Sequence, residues 1–452
     1  MIKRLFQNKL YKNVLMLLTG TTIAQAIPIA ISPILTRIYT PEDFGLLALF
    51  ISITSIMGVI ATARYELAIM LPEDDDDAKN LVALSILISA TIGSLLLIIF
   101  IIWGEGLANL LGNSQIYSWL FLVPLSVLFT GIYQSFSYWS NRKQQYRRLA
   151  INKVTQSTTT AGTNLIIGTV KGGAFGLIFG TILAQFVATS RLVIQSFKNE
   201  KLSINQVSFI QMKTLASRYD QFPKISMWSG LLNTASIQMP IFLLSVFFNS
   251  TIVGWYSLAH RVLSMPMSVL GSAVGQVFFQ VSSDIKHEDP LKLRRMTYKA
   301  YKSMLFIGLL PMSIIFAFGD ILFGFIFGDE WRIAGEYARL LSIWLLLVFV
   351  SSPLSLLFTV LEKEGVALLF NIAIFLSRII ALIIGAVILK DAFVAVLLFS
   401  ISGIVFWLWH CIYLLKMVGV SYIKSLAYTL RIIGGGLGVG IFVRYILLQN
   451  IW

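Results

Sequence analysis

The sequence predicts an all-α polytopic membrane protein, with about twelve transmembrane helices in two six-helix lobes around a central cavity. Three observations carry that prediction: composition, repeated apolar runs, and the placement of cations. Of 452 residues, 57% are hydrophobic and 12% charged, against roughly 45–50% and about 25% in soluble domains. A water-soluble fold has too little interior to hide that much apolar surface. Several apolar runs reach about 20 residues, the helical length that crosses a hydrocarbon core. The formal net charge of +14 raises the question of a nucleic-acid partner. The cations, however, sit in short clusters between apolar runs, where orientation signals belong, so no nucleic-acid partner is expected.

Apolar runs and their polar punctuation predict spans near 14–36, 43–66, 80–103, 116–140, 151–170 and 173–195. A second set lies near 225–248, 252–281, 300–327, 337–361, 366–389 and 393–416. Lys3, Arg4, Lys9 and Lys12 precede the first run, and Ala24-Gln25-Ala26 has the small-residue pattern of a signal-peptidase site. The apolar pattern continues to Leu35, too long for a signal core, so an uncleaved first span is expected. Segments 1–13, 64–79, 141–153, 191–224, 283–302, 362–365 and 416–431 together carry 27 of the 35 Lys and Arg residues. By the positive-inside rule this side, with the N-terminus, is cytoplasmic. The predicted organisation is an N-terminal lobe at 1–195, a cytoplasmic linker at 196–224, a C-terminal lobe at 225–416 and a tail at 417–452. Within the tail, 426–449 reads either as a thirteenth span packed through Gly434-Gly435-Gly436-Leu437-Gly438 or as an interfacial helix. An offset of 209 residues lays Thr40–Gly45 on Asn249–Gly254, which suggests duplication of a six-span unit. Trp103, Trp119, Trp139, Trp228, Trp255 and Trp331 fall near span ends and read as interfacial anchors.

One cysteine, Cys411, excludes an internal disulfide, and His260, His287 and His410 are too scattered for a zinc motif. No metal or cofactor is expected. The run Glu73-Asp74-Asp75-Asp76-Asp77 lacks the alternation and glycine of a calcium loop and reads as the acidic start of a helix.

The informative residues are ionisable groups at membrane depth. Arg261 lies ~14 Å along its span from the outer end, and Arg378 is similarly deep. Each costs about 2.5–3.5 kcal/mol on insertion scales, which favours a cavity or a partner for each. Pro266 interrupts the backbone hydrogen bonding one turn past Arg261. His260 faces another side of that helix, where it titrates or simply packs. Arg64, Tyr65 and Glu66 close the second span; Arg64 is a candidate first contact for an anionic head group, and Glu66 a candidate for proton or cation exchange. Arg37 closes the first span as a guard or an anchor. Prolines 28, 33, 124, 240, 266, 311 and 353 fall inside spans, together with the amides Gln25, Asn164, Gln185, Asn233, Gln238, Gln276 and Asn371. Kinked helices carrying inward amides suit a hydrated cavity.

Arg37-Ile38-Tyr39-Thr40-Pro41-Glu42-Asp43-Phe44-Gly45 and Tyr65-Glu66-Leu67-Ala68-Ile69-Met70-Leu71-Pro72 resemble bacterial polysaccharide flippases of the multidrug/oligosaccharidyl-lipid/polysaccharide exporter superfamily. Gly254-Trp255-Tyr256-Ser257-Leu258-Ala259 and Phe327-Gly328-Asp329-Glu330-Trp331-Arg332-Ile333-Ala334-Gly335 fit the same pattern. The resemblance implies two lobes around a cavity open alternately to either face. It implies a substrate of undecaprenyl-pyrophosphate-linked oligosaccharide, carried from the cytoplasmic to the periplasmic leaflet of the bacterial inner membrane. It matches Arg261 and Arg64 to the anion-binding role; Arg378 rests on depth alone. Membrane lipids, a polysaccharide polymerase and a chain-length regulator are the implied partners, and a proton or sodium gradient the implied drive. A multidrug cation exporter would need buried carboxylates in its pocket, and a membrane glycosyltransferase or polymerase would need a catalytic constellation on a sizeable loop. Neither pattern is evident, so a transporter rather than an enzyme is expected.

Overall fold

A computed structural model describes residues 2–170, 172–200, 207–285 and 289–449, which leaves His287 and part of the linker outside the described residues. Every regular element among the described residues is helical. In order they are α1 (Ile2–Ile38), α2 (Pro41–Ile60), α3 (Tyr65–Ala68), α4 (Asp75–Leu110), α5 (Tyr117–Leu120), α6 (Val123–Arg142), α7 (Tyr146–Val170), α8 (Phe175–Glu200) and α9 (Phe209–Arg218). There follow α10 (Met227–Phe247), α11 (Ser250–Ile285), α12 (Pro290–Phe327), α13 (Arg332–Leu354), α14 (Leu357–Val360), α15 (Glu364–Ile383), α16 (Ala392–Met417) and α17 (Tyr422–Gln449). Ten helices among the described residues are long and apolar enough to cross a membrane, or eleven if the pair α5–α6, bent by 50°, forms one span.

A helix covers each of the twelve expected spans. The fifth, α7, and the eighth, α11, stand outside the ten; α7 is rich in threonine and amides. Its polar groups find partners on neighbouring helices: Asn152 donates to the Ala188 carbonyl at 3.1 Å, and the Asn164 carbonyl accepts from the Tyr39 hydroxyl at 2.7 Å. Such pairing is what keeps a polar helix tolerable inside a bundle.

The chain divides into two compact units, Met1–Val253 and Gly254–Trp452. In the first, α1 packs on α7, α7 on α8, α4 on α6, and α2 on α10. In the second, α12 packs on α13 and α17, and α13 and α15 pack on α16. The helix α10 thus clusters with the N-terminal unit. The offset of 209 carries the last residue of α1 onto the last residue of α10, and the first residue of α2 onto the first of α11.

The sequence motifs have local physical reasons. Thr40 and Asp43 form a reciprocal capping box, at 3.3 and 3.0 Å, with Pro41 in the first turn, which fixes the start of α2. Gly45 lets that helix approach the backbone of Ser250, where an added Cβ would stand 1.8 Å from the carbonyl oxygen. Gly328, at φ 106°, ends α12 in a conformation that favours glycine.

The acidic run starts a helix: Asp74 caps α4 by accepting from the Asp76 amide at 3.3 Å. Arg142 ties the preceding loop down, donating to the carbonyls of Ile69, Pro72, Glu73 and Asp74 and, at 3.1 Å, to the Asp75 carboxylate. The linker is more structured than a loop. Within it, α9 docks on the first unit through buried Leu215, while the Ser208 amide donates to Asn80 at 2.8 Å and the Tyr65 hydroxyl to the Ala216 carbonyl at 2.9 Å.

Of the two readings of the tail, the structure supports a spanning-length helix. The α17 backbone lies against α12: a Cβ on Gly436 would meet Leu309 at 2.8 Å, and one on Gly440 would meet Ser313 and Ala317 at 3.2 Å. Arg444 then grips both carboxylate oxygens of Asp320, each at 2.9 Å.

The tryptophan reading needs correction. Trp103 and Trp228 are exposed, as anchors are, but Trp139 and Trp331 are fully buried core residues. Position near a helix end did not reveal that neighbouring helices close over those two rings.

Candidate functional site

Three helices of the first unit each present polar side chains at helical spacing. On α2 they are Thr54 and Ser55, beside Gly58; on α6 they are Ser126, Thr130 and Gln134; on α8 they are Thr181 and Gln185, with Phe50, Ile51, Val59 and Ile182 supplying apolar wall between them. Steps of three or four residues place such side chains on one helix face. Together with Arg64 they enclose a cavity of about 410 Å³. Some of its polar groups are satisfied from within. Thr54 donates back to the Phe50 carbonyl at 3.0 Å, Thr181 to the Leu177 carbonyl at 2.9 Å, and Gln156 of α7 donates to the Gln185 side-chain oxygen. Three are not. Arg64 Nε, Ser126 Oγ and Gln134 Oε1 are buried without a hydrogen-bond partner. Orphaned polar atoms are costly; these three lie beside the cavity but are closed off from its open space. No carboxylate is found among its described lining residues.

The backbone delivers Arg64 to this cavity. Two successive residues after α2, Ala63 and Arg64, adopt left-handed conformations with φ of 47° and 66°, which glycine would take without steric cost. Arg64 then caps α3. Its guanidinium lies over Gly230 of α10, where an added Cβ would come within 2.7 Å of Nη2. Glu66 is its ion partner at 3.5 Å, with the carboxylate buried and the arginine side chain 28% exposed. Thr62 donates to the other carboxylate oxygen. Burial holds the Glu66 carboxyl above the usual carboxylate range, while Thr62 and Arg64 pull it back. The structure therefore makes Glu66 a buried group beside the cavity wall.

The remaining candidates separate. Gln238 is half-buried and accepts from the Ser52 hydroxyl at 2.9 Å. Gln25 is half-buried and already partnered, and Asn233 and Arg37 are exposed. In the second unit, Arg261 is exposed about a third of the way along α11 and makes no hydrogen bond or ion pair with another described residue. The helix continues through Pro266. Arg378 has a different setting, stacked over Trp344 at 4.7 Å and Phe399 at 5.5 Å. His260 packs between Tyr256 and Trp344, with ring centroids 5.9 and 6.0 Å away. Asp320 is engaged by Arg444 and, at 3.7 Å, by Arg339.

Sequence reading found Arg64 and, among the amides inside spans, Gln185, but missed Ser126, Thr130, Gln134 and Thr181. The signal was present. Polar residues at steps of four recur on one face of α6 and again on α8.

A family model described as polysaccharide biosynthesis protein matches residues 34–335. The succinoglycan biosynthesis transport protein ExoT of Rhizobium meliloti (strain 1021) is 23% identical over 317 residues, which cover 69% of this chain. The match spans 61% of that protein's length. Among solved structures, the lipid II flippase MurJ in an inward closed conformation superposes with a TM-score of 0.73 at 14% identity, covering 97% of this chain and 93% of that one. An inward-facing multidrug resistance MATE family transporter of the MOP superfamily superposes with a TM-score of 0.62 at 15% identity, covering 91% and 95%. The chain has the fold of these transporters.

Proposed function

The chain belongs to the polysaccharide biosynthesis protein family, and from that premise we propose that it flips undecaprenyl-pyrophosphate-linked oligosaccharide from the cytoplasmic to the periplasmic leaflet. In this reading it is a multi-pass inner-membrane protein with a cytoplasmic N-terminus. It works by alternating access, catalyses no covalent chemistry, and supplies a polymerase and chain-length regulator with surface-polysaccharide units.

One observation carries the proposal: the cavity of the first unit has a partly exposed arginine on its wall and no carboxylate among its described lining. A fixed cation among hydroxyls and amides suits an anionic, sugar-bearing ligand. Charge-assisted hydrogen bonds from guanidinium to phosphate are about twice as strong as neutral ones. A site for organic cations calls for a carboxylate instead. Asp320, a carboxylate in the second unit, is taken up by Arg444 and Arg339.

Glu66 gives this site a route to proton coupling. Protonation of Glu66 loosens its 3.5 Å pairing with Arg64 and frees the guanidinium for pyrophosphate. Deprotonation restores the internal pair and favours release. The membrane potential, positive outside, assists outward movement of each negative charge by about 2.3 kcal/mol per 100 mV.

The test is complementation of a strain lacking the chain. Arg64→Ala is expected to remove most surface polysaccharide with protein level and membrane insertion unchanged, and Arg64→Lys to restore part of it. Full polysaccharide with Arg64→Ala would remove Arg64 from the mechanism.

A further inference from the structure

In the second unit, we propose that the packed N-terminal ends of α12 and α17 form a headgroup site for an anionic phospholipid of the surrounding bilayer. The inference goes beyond the flippase reading and needs only that both helices enter the membrane from this end.

Each helix carries a ladder of cation, tyrosine and cation. On α12 it is Arg294, Tyr298 and Lys302, at steps of four; on α17 it is Lys424, Tyr428 and Arg431, at steps of four and three. Such steps keep side chains on one helix face. Contacts across the helix pair bring the ladders together. Lys302 Nζ stands 4.6 Å from the centre of the Tyr298 ring and 6.0 Å from that of Tyr428, and the two rings meet edge to face at 6.3 Å. One residue along, the buried hydroxyls of Tyr301 and Thr429 bond to each other and fix the register. Arg294 lies beside Gly419, whose φ of 83° helps to turn the chain from α16 into α17. The rings hold the Lys302 ammonium in place without neutralising it.

The charge is uncompensated. Asp320 is the one carboxylate of α12 and lies at its other end, and α17 has none. Among the described residues none of the four cations forms an ion pair, and Arg294, Lys424 and Arg431 are exposed. Depth selects the partner. Past Lys302 and Arg431 both helices turn apolar, with no charged residue from Ser303 to Gly319 or from Ile432 to Val443. The ladders therefore stand at headgroup level, where tyrosine is enriched and basic clusters attract anionic lipid. One and two turns past Lys302, Phe306 and Leu310 are exposed. That apolar surface suits the acyl chains below a phosphate, not a soluble acidic partner.

The experiment titrates the purified full chain in detergent with phosphatidylglycerol and with phosphatidylcholine of the same acyl chains, and counts bound lipid by native mass spectrometry. The wild type is expected to bind phosphatidylglycerol at least about tenfold more tightly, or about 1.4 kcal/mol. Lys302→Gln/Arg431→Gln is expected to lose most of that preference. Lys292→Gln/Lys299→Gln removes the same charge from a different face of α12 and is expected to keep it. Equal losses from the two double variants would mean diffuse attraction rather than a site, and overturn the inference. A wild type without preference overturns it too, and leaves the flippase reading standing, since neither probe is the proposed substrate. Should the first double variant fail to fold, the exposed Lys424→Gln decides: its preference must fall by several fold, and an unchanged preference overturns the inference.

Discussion

Two guanidinium groups, one in each unit, occupy opposite surroundings. Arg64 sits on a wall of hydroxyls and amides around an open space, held there by a left-handed backbone and one buried carboxylate. Arg378 lies against aromatic faces in a filled cluster with Tyr256, Trp344 and Phe399. Both have an unpartnered Nε, yet the chemistry around them differs. A ring face gives a cation a partner of about 0.5–2 kcal/mol without admitting a ligand. An open space lined by hydroxyls and amides among apolar side chains leaves room for one. Depth in the membrane alone therefore does not say which arginine serves a substrate; the neighbours do.

The sharpest way to break this comparison is to replace each arginine by methionine. Arg64→Met is expected to slow transport at least tenfold in reconstituted vesicles. Arg378→Met is expected to slow it less than twofold and to change stability by less than about 1 kcal/mol, since a buried charge exchanged for a packed apolar side chain is often neutral or better. Equal losses from the two replacements would show that the surroundings do not decide function.

A milder change tests positioning. In Gly230→Ala the added methyl would meet the far end of the flexible Arg64 side chain rather than backbone. The fold should absorb it within about 0.5 kcal/mol, while transport falls several fold because the guanidinium is displaced. Normal transport would mean that its location is not critical.

The smallest effect concerns pH. Burial raises the Glu66 carboxyl above its ordinary value, so the fold favours the protonated form. That contribution is complete below the ordinary carboxylate pKa and is lost as pH rises through the raised value. Thermal stability of the detergent-solubilised protein should therefore decline from acid towards neutral pH more steeply in the wild type than in Glu66→Gln. Parallel profiles would show that Glu66 does not titrate across that interval.

Much of the fold was legible because hydrophobic length and capping are local. The acidic run at the start of α4 follows from residues within a few positions of each other. The tail resolved only in three dimensions: Gly436 and Gly440 gain meaning from Leu309 and Ala317, more than a hundred residues away, while Gly434, Gly435 and Gly438 of the expected run face open space. The same limit governs the site. Arg64 announced itself by charge at a span end, but the stripe Ser126, Thr130, Gln134 becomes a wall only once α2 and α8 stand opposite it. Trp139 and Trp331 taught the converse, since their place in the chain suggested an interface and their neighbours made them core.

The most direct test of the central claim is translocation itself. In sealed proteoliposomes holding fluorescent lipid-linked oligosaccharide, the wild type should move the head group between leaflets, and Arg64→Ala should do so at least tenfold more slowly. Movement of organic cations with the lipid left in place, or growth or hydrolysis of the oligosaccharide without translocation, would contradict the account.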